Sequence, residues 1–235
     1  MSVSSPPTTN PLPVIQLSPH AGLQAPTEVE GLLQISEREI YNDADLWADL
    51  HYDFSHPDLL PWKPDGVTLG TLYTIETTIA RALVDVNRLP VLDDNPDGAV
   101  KMRTSYGAQL YREPLANSVR RVLFDRYYRD YHSRACAALD IHLSEAKLLL
   151  DCHSMAQVGP SAYAFAGRPR PLLCISNVGD CNGEAMPDLG ETSCSPELLH
   201  FAAEAGAELF GDMKLLVPGP AEGRNPPVVA LNWPF

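Results

Sequence analysis

The sequence is short of positive charge. Lys and Arg number 17 against 30 Asp and Glu, a formal net charge of −13. Nucleic acids and anionic membranes are met by basic patches, so this balance argues against both as partners. Small anionic substrates remain possible, because a few arginines in a pocket act locally. No run of about 18 apolar residues occurs, so no transmembrane helix is expected. Residues 1–10 carry neither a positive charge nor an apolar stretch and do not read as a signal peptide. The 5 cysteines include no Cys-x-x-Cys spacing and read as reduced thiols of a cytoplasmic protein. Also missing are a His-x-x-x-His pair and any internal repeat.

What is present suffices for a folded domain. Apolar residues make up 45% of 235, enough to bury a sizeable core, while 22 prolines predict many loops. Residues 1–12 are rich in Pro, Ser and Thr and read as a flexible leader, with a single domain over 13–235. Short apolar runs predict strands at 13–17 (PVIQL), 70–78, 147–150 (KLLL), 172–175 and 228–231, and 81–88 (RALVDVNR) reads as a strand or extended segment. Residues 28–53 read as helix, and 90–107 as a long loop. The clearest helix spans 117–143, with Asn117 as N-cap and Val119, Leu123, Tyr127 and Tyr131 recurring every four residues. A second covers 196–210. Strands alternating with helices predict an α/β fold around a largely parallel sheet.

In such sheets, ligands gather beyond the carboxyl ends of strands. His20 follows the first strand, an acidic group spans Asp43–Asp49, and Asp151-Cys152-His153 follows KLLL. Two histidines and one carboxylate are a common catalytic zinc set that leaves a coordination position open. An Asp two residues before a ligand His can orient it or move a proton. Cys152 beside His153 could be a nucleophile, but neighbours on an extended segment face opposite ways, which favours a core role. Arg81 and Arg88 flank Asp85 and Asn87, and Arg112 follows Tyr111. Arginines near a metal suit an anionic substrate, although surface ion pairing is the plainer reading for any one of them.

The order SPHAG (18–22), DADLWADLHY (43–52), ARALVDVNR (80–88), QLYR (109–112), YYRDYH (127–132) and LLLDCHSM (148–155) resembles the N-formylglutamate amidohydrolase family over about 13–235. The resemblance implies a three-layer α/β/α sandwich with a mixed, largely parallel sheet of the zinc-carboxypeptidase-like kind. It implies hydrolysis of N-formylglutamate to formate and glutamate, in histidine degradation, by zinc-activated water. By position, His20, Asp45 and His153 match the metal ligands, with Asp49 the fallback for Asp45. Asp151 would orient a ligand or act in proton transfer. Arg81, Asn87, Arg88 and Arg112 would bind the small anionic N-acyl amino acid. Tyr131 and His132 match a segment as readily structural as substrate-facing, and Asn177, Gly179 and Asp180 loosely match a later loop.

There are departures. Ala80 stands for the usual Ser and Asp130 for the usual Pro, and the loops at 176–194 and 217–227 are longer than expected. The segment 229–235 resembles one that in the family precedes a strand bearing the general-base glutamate. The domain is therefore expected to lack the family's C-terminal strand and helix; a second alignment puts Ala230 in the glutamate's place. On either alignment the expected base is absent. Competing expectations are a catalytically impaired binding or regulatory homologue, and a peptidase or amidase on the same scaffold. Oligomeric state is not predicted.

Overall fold

The structure is a computed structural model that describes residues 3–4, 10–92, 95, 98–159, 166–210 and 229–232. Where a single domain over 13–235 is expected, the chain divides into two compact units, Met1–Met155 and Ala156–Phe235. The Pro/Gly stretch 217–227 and residues 233–235 lie outside the described residues.

The first unit is built on a four-stranded sheet: β1 (Val3–Ser4), β2 (Leu12–Ser18), β3 (Thr71–Glu76) and β4 (Leu148–Asp151), in the order β1-β3-β2-β4. β2 runs parallel to both neighbours and only β1 is antiparallel, so the sheet is mixed and largely parallel, in an α/β unit as expected. Val3–Ser4 pairs with β3, which departs from a leader flexible throughout. β2 is buried on both faces, with Val14, Ile15 and Gln16 all enclosed, as a central parallel strand requires. Its register against β3 slips between Leu12 and Ile15, around Pro13, which has no N–H to donate.

The 117–143 helix exists but in three parts: α3 (Asn117–Leu123), one π-helical turn (Phe124–Tyr128) and α4 (Arg129–His142). Ala116, not Asn117, is the N-cap. Tyr131, Ala135 and Ala138, at helical spacing, are buried in the core against the sheet. The helix expected over 28–53 breaks into a 3-10 turn (Thr27–Val29), α1 (Glu37–Asp43) and α2 (Ala48–His51). Two acids break it. Asp43 turns inward to accept from the Ser105 N–H at 3.0 Å, and the extended backbone of Ala44 carries Asp45 into the interior.

The segment 81–88, expected as a strand or extended segment, is a turn with residues 82–86 buried. The Leu83 and Val84 N–H groups donate to Ala80 C=O, and Val84 meets Val100 in an isolated antiparallel bridge. Its Ala, Leu and Val side chains are buried in the core, and the turn and the 99–101 segment pair its backbone in place of a sheet.

In the second unit, β5 (Leu173–Ile175) and β6 (Val229–Leu231) pair in parallel, and α5 (Pro196–Phe210) packs on both. No helix among the described residues is long and apolar enough to cross a membrane.

Candidate metal centre

β2 and β4 are parallel neighbours with Leu17 opposite Asp151, so the residues just past each strand emerge side by side. That register brings His20 and His153 together, with ring centroids 4.8 Å apart. Gly22 lets the loop after His20 lie against the chain beyond β3: an added Cβ would meet backbone atoms of Thr77, Thr78 and Ile79 at 2.4–2.6 Å. The Asp45 N–H donates to His20 C=O at 3.1 Å, fixing the third segment.

Three side-chain atoms meet. His20 Nδ1 and His153 Nδ1 are 3.1 Å apart. Asp45 Oδ2 lies 2.8 Å from the latter and 3.4 Å from the former. His20 and Asp45 are buried and His153 is 35% exposed, so the cluster opens on the His153 side. Asp49 points elsewhere, exposed on α2.

Around these atoms stands a second set of partners. Asp85 Oδ1 accepts from His20 Nε2 at 2.7 Å. When His20 donates from Nε2 to Asp85, its Nδ1 lone pair faces the cluster, the tautomer that a bound metal would select. Asp151 Oδ1 is 3.2 Å from His153 Nε2, and the Asn87 amide nitrogen 3.3 Å. Tyr52 donates its hydroxyl to His153 C=O at 3.1 Å. Arg88 lies with Nε 3.7 Å from Asp85 Oδ2 and donates from Nη1 to Asn87 C=O.

Arg81, expected to hold a substrate carboxylate, faces the protein's own acids: Nη1 is 3.1 Å from Asp45 Oδ1 and Nη2 3.2 Å from Asp85 Oδ2. Arg112 stands exposed beside the Leu33–Tyr111 bridge, and no contact among the described residues ties it to the cluster. His132 bonds through Nε2 to Val86 C=O, and the Tyr128 hydroxyl donates to Arg88 C=O, both at 2.9 Å. The long helix thus grips the turn that carries Asp85, Asn87 and Arg88, and His132 acts as support.

Burial pushes the Asp45 carboxyl up, but hydrogen bonds from His153 and His20 and the charges of His20 and Arg81 outweigh it and hold it well below the usual carboxylate range. Asp85 behaves likewise: burial raises it, and His20, Arg81 and Arg88 bring it far below. Burial pulls His153 down, yet Asp151 and Asp45 overcome it and push its pKa up to about 9. With the His153 proton displaced, two imidazole nitrogens and one carboxylate oxygen converge as a donor set that fits a zinc-type ion.

Cys152 is enclosed, and burial pushes its thiol up to about 12, the opposite of an activated nucleophile. In the second unit, Asn177 is fully buried and donates to Gly183 C=O and Cys194 C=O. Asn232 accepts from the Asn177 N–H and donates to its Oδ1, so these residues close a turn. The sequence suggests Asp85 only as an ion-pair partner of Arg81 or Arg88, a pairing found with both, and assigns nothing to Tyr52. An acid inside the apolar run ALVDV was the available signal for Asp85; Tyr52 had none.

Comparison with known proteins decides the family. A model of the N-formylglutamate amidohydrolase family matches residues 12–235. The chain belongs to this family. Among solved structures, the crystal structure of N-formylglutamate amidohydrolase from Ralstonia eutropha JMP134 at 2.00 Å resolution has a similar fold, with a TM-score of 0.64. The two share 20% identity over 88% of this chain and 72% of that one. A comparison with curated proteins finds no match. The stretches that carry the resemblance are those that build the cluster: SPHAG holds His20, VDVNR holds Asp85, and DCHSM holds His153.

Proposed function

We propose that this chain is a zinc-dependent hydrolase of N-formylglutamate or a closely related N-acyl amino acid. The observation that carries the proposal is the convergence of His20 Nδ1, His153 Nδ1 and Asp45 Oδ2, all within 4.8 Å, in a member of this family. Zinc held by these atoms would supply Lewis acidity at the acyl carbonyl and would lower the pKa of water towards ~7.

The chain's own groups divide the remaining work. Asp85 keeps the His20 proton on Nε2. Asp151, half exposed and facing His153 Nε2, orients that ring and is our candidate to take a proton from water and return it to the leaving amine. Asn87 and Arg88, between His153 and Asp85, offer amide and guanidinium donors to a substrate carboxylate. Burial of His20, Asp45 and Asp85 keeps water from competing for these bonds.

The test is metal analysis of the purified protein together with formate release from N-formylglutamate and related N-acyl amino acids. One zinc per chain, turnover abolished by a chelator and restored by zinc, and loss of metal in His153→Ala are expected. Zinc-free protein with chelator-insensitive turnover, or unchanged metal content in His153→Ala, would overturn the proposal. Zinc uptake with a substrate-induced melting shift but no formate release would assign a binding role instead.

A further inference from the structure

Arg81 closes a ring of contacts. Its Nη1 is 3.1 Å from Asp45 Oδ1, and Asp45 Oδ2 is 3.4 Å from His20 Nδ1. His20 Nε2 is 2.7 Å from Asp85 Oδ1, and Asp85 Oδ2 is 3.2 Å from Arg81 Nη2. Each member is thus held at two points. The guanidinium is planar, so it sets the spacing of the two carboxylates it bridges, a geometry that a lysine ammonium cannot reproduce. Arg81 and Asp85 lie four residues apart on the turn, which brings the two side chains together. Arg81 is largely enclosed, at 15% side-chain exposure.

We propose that Arg81 is a positioning residue: it occupies Asp45 Oδ1 so that Asp45 offers the metal one oxygen only, and through Asp85 it fixes the His20 ring. This inference rests on the zinc reading. Its consequence is chemical. A carboxylate free to rotate would bind through both oxygens and fill a coordination position that the reaction needs open. Asp45 Oδ1, bonded to Arg81, is denied to the metal.

The charge effect and the geometric effect have opposite signs. Removing a positive charge beside a cation site, taken alone, tightens cation binding. Disordering the ligands weakens it, by about 10- to 100-fold for partners of this kind. Arg81→Lys keeps the charge and removes the bridge, and Arg81→Met removes both.

The experiment is a zinc titration of apo-protein against a chromophoric chelator, without substrate, for wild type and both variants. It is paired with visible spectra of the cobalt(II)-loaded forms and melting of the apo forms as a folding control. Arg81→Lys is expected to lose about 10- to 100-fold in zinc affinity, and Arg81→Met less, because lost charge offsets lost order. The cobalt d–d bands of Arg81→Lys should weaken as coordination rises. Unchanged zinc affinity and cobalt spectrum, with only KM for substrate raised, would make Arg81 a substrate anchor and overturn the inference. A wild type that takes up no metal removes the zinc reading itself, a different failure from equal affinities in wild type and variants.

Discussion

Asp85→Asn is the sharpest perturbation of the cluster, because it preserves shape and leaves no good orientation for the new amide. Asp85 is 1% exposed; one oxygen faces His20 Nε2 at 2.7 Å and the other faces Arg81 Nη2 at 3.2 Å. If the Asn carbonyl faces His20, its NH2 meets the Arg81 guanidinium, donor against donor. A buried charged donor left so costs about 1–3 kcal/mol. If the amide turns over, its NH2 faces His20 Nε2 and drives the ring proton to Nδ1, the atom aimed at Asp45 and His153. The metal then loses a ligand unless the tautomer is restored, at about 10- to 100-fold in affinity, or ~1.4–2.7 kcal/mol. The expected outcome is a zinc affinity lower by that factor, with apo-protein destabilised by about 1–3 kcal/mol. Chelator competition measures the first and urea unfolding of the apo form the second. Zinc affinity within about 3-fold of wild type, with apo stability within ~0.5 kcal/mol, would refute the claim that Asp85 sets the His20 tautomer.

Four further outcomes follow from the same geometry. His153 has a raised pKa in the folded apo-protein, so its proton contributes stability that is complete below the unfolded value of ~6.5 and is lost as pH climbs through about 9. The apo melting temperature should therefore fall across that window while the zinc-loaded form changes little; an apo profile that rises would contradict the Asp45 and Asp151 contacts. Asp45 and Asp85 have the opposite sign: their stabilisation is present above ~3.9 and disappears in acid as they are protonated. Gly22→Ala would press a Cβ within 2.6 Å of three backbone atoms, and should destabilise the fold by about 3 kcal/mol in urea titration. Cys152→Ala should keep zinc content and formate release within a few-fold of wild type; abolished turnover with zinc retained would restore the thiol as a participant.

The strands were legible because their signal is local. The apolar runs at 13–17 and 147–150 became β2 and β4, and the period of 117–143 became one long helix. The π-helical turn inside that helix left no mark on the period, and only packing against the turn at 86–88 explains why Tyr128 and His132 lie as they do. The resemblance named the residues of the cluster, but their partners depended on burial. The 81–88 segment shows why: its Val and Leu residues carry strand propensity, yet they pack into a core where a turn satisfies the backbone.

By itself, then, the amino-acid sequence determined the α/β class, the strand ends that carry His20 and His153, and, through motif order, membership of the family. Only the tertiary structure decided that Asp85 holds the His20 proton and that Arg81 faces both Asp45 and Asp85. The physical reason is separation. His20, Asp45, Asp85 and His153 lie up to 133 residues apart, and an ion pair's partner is set by which groups the fold desolvates together.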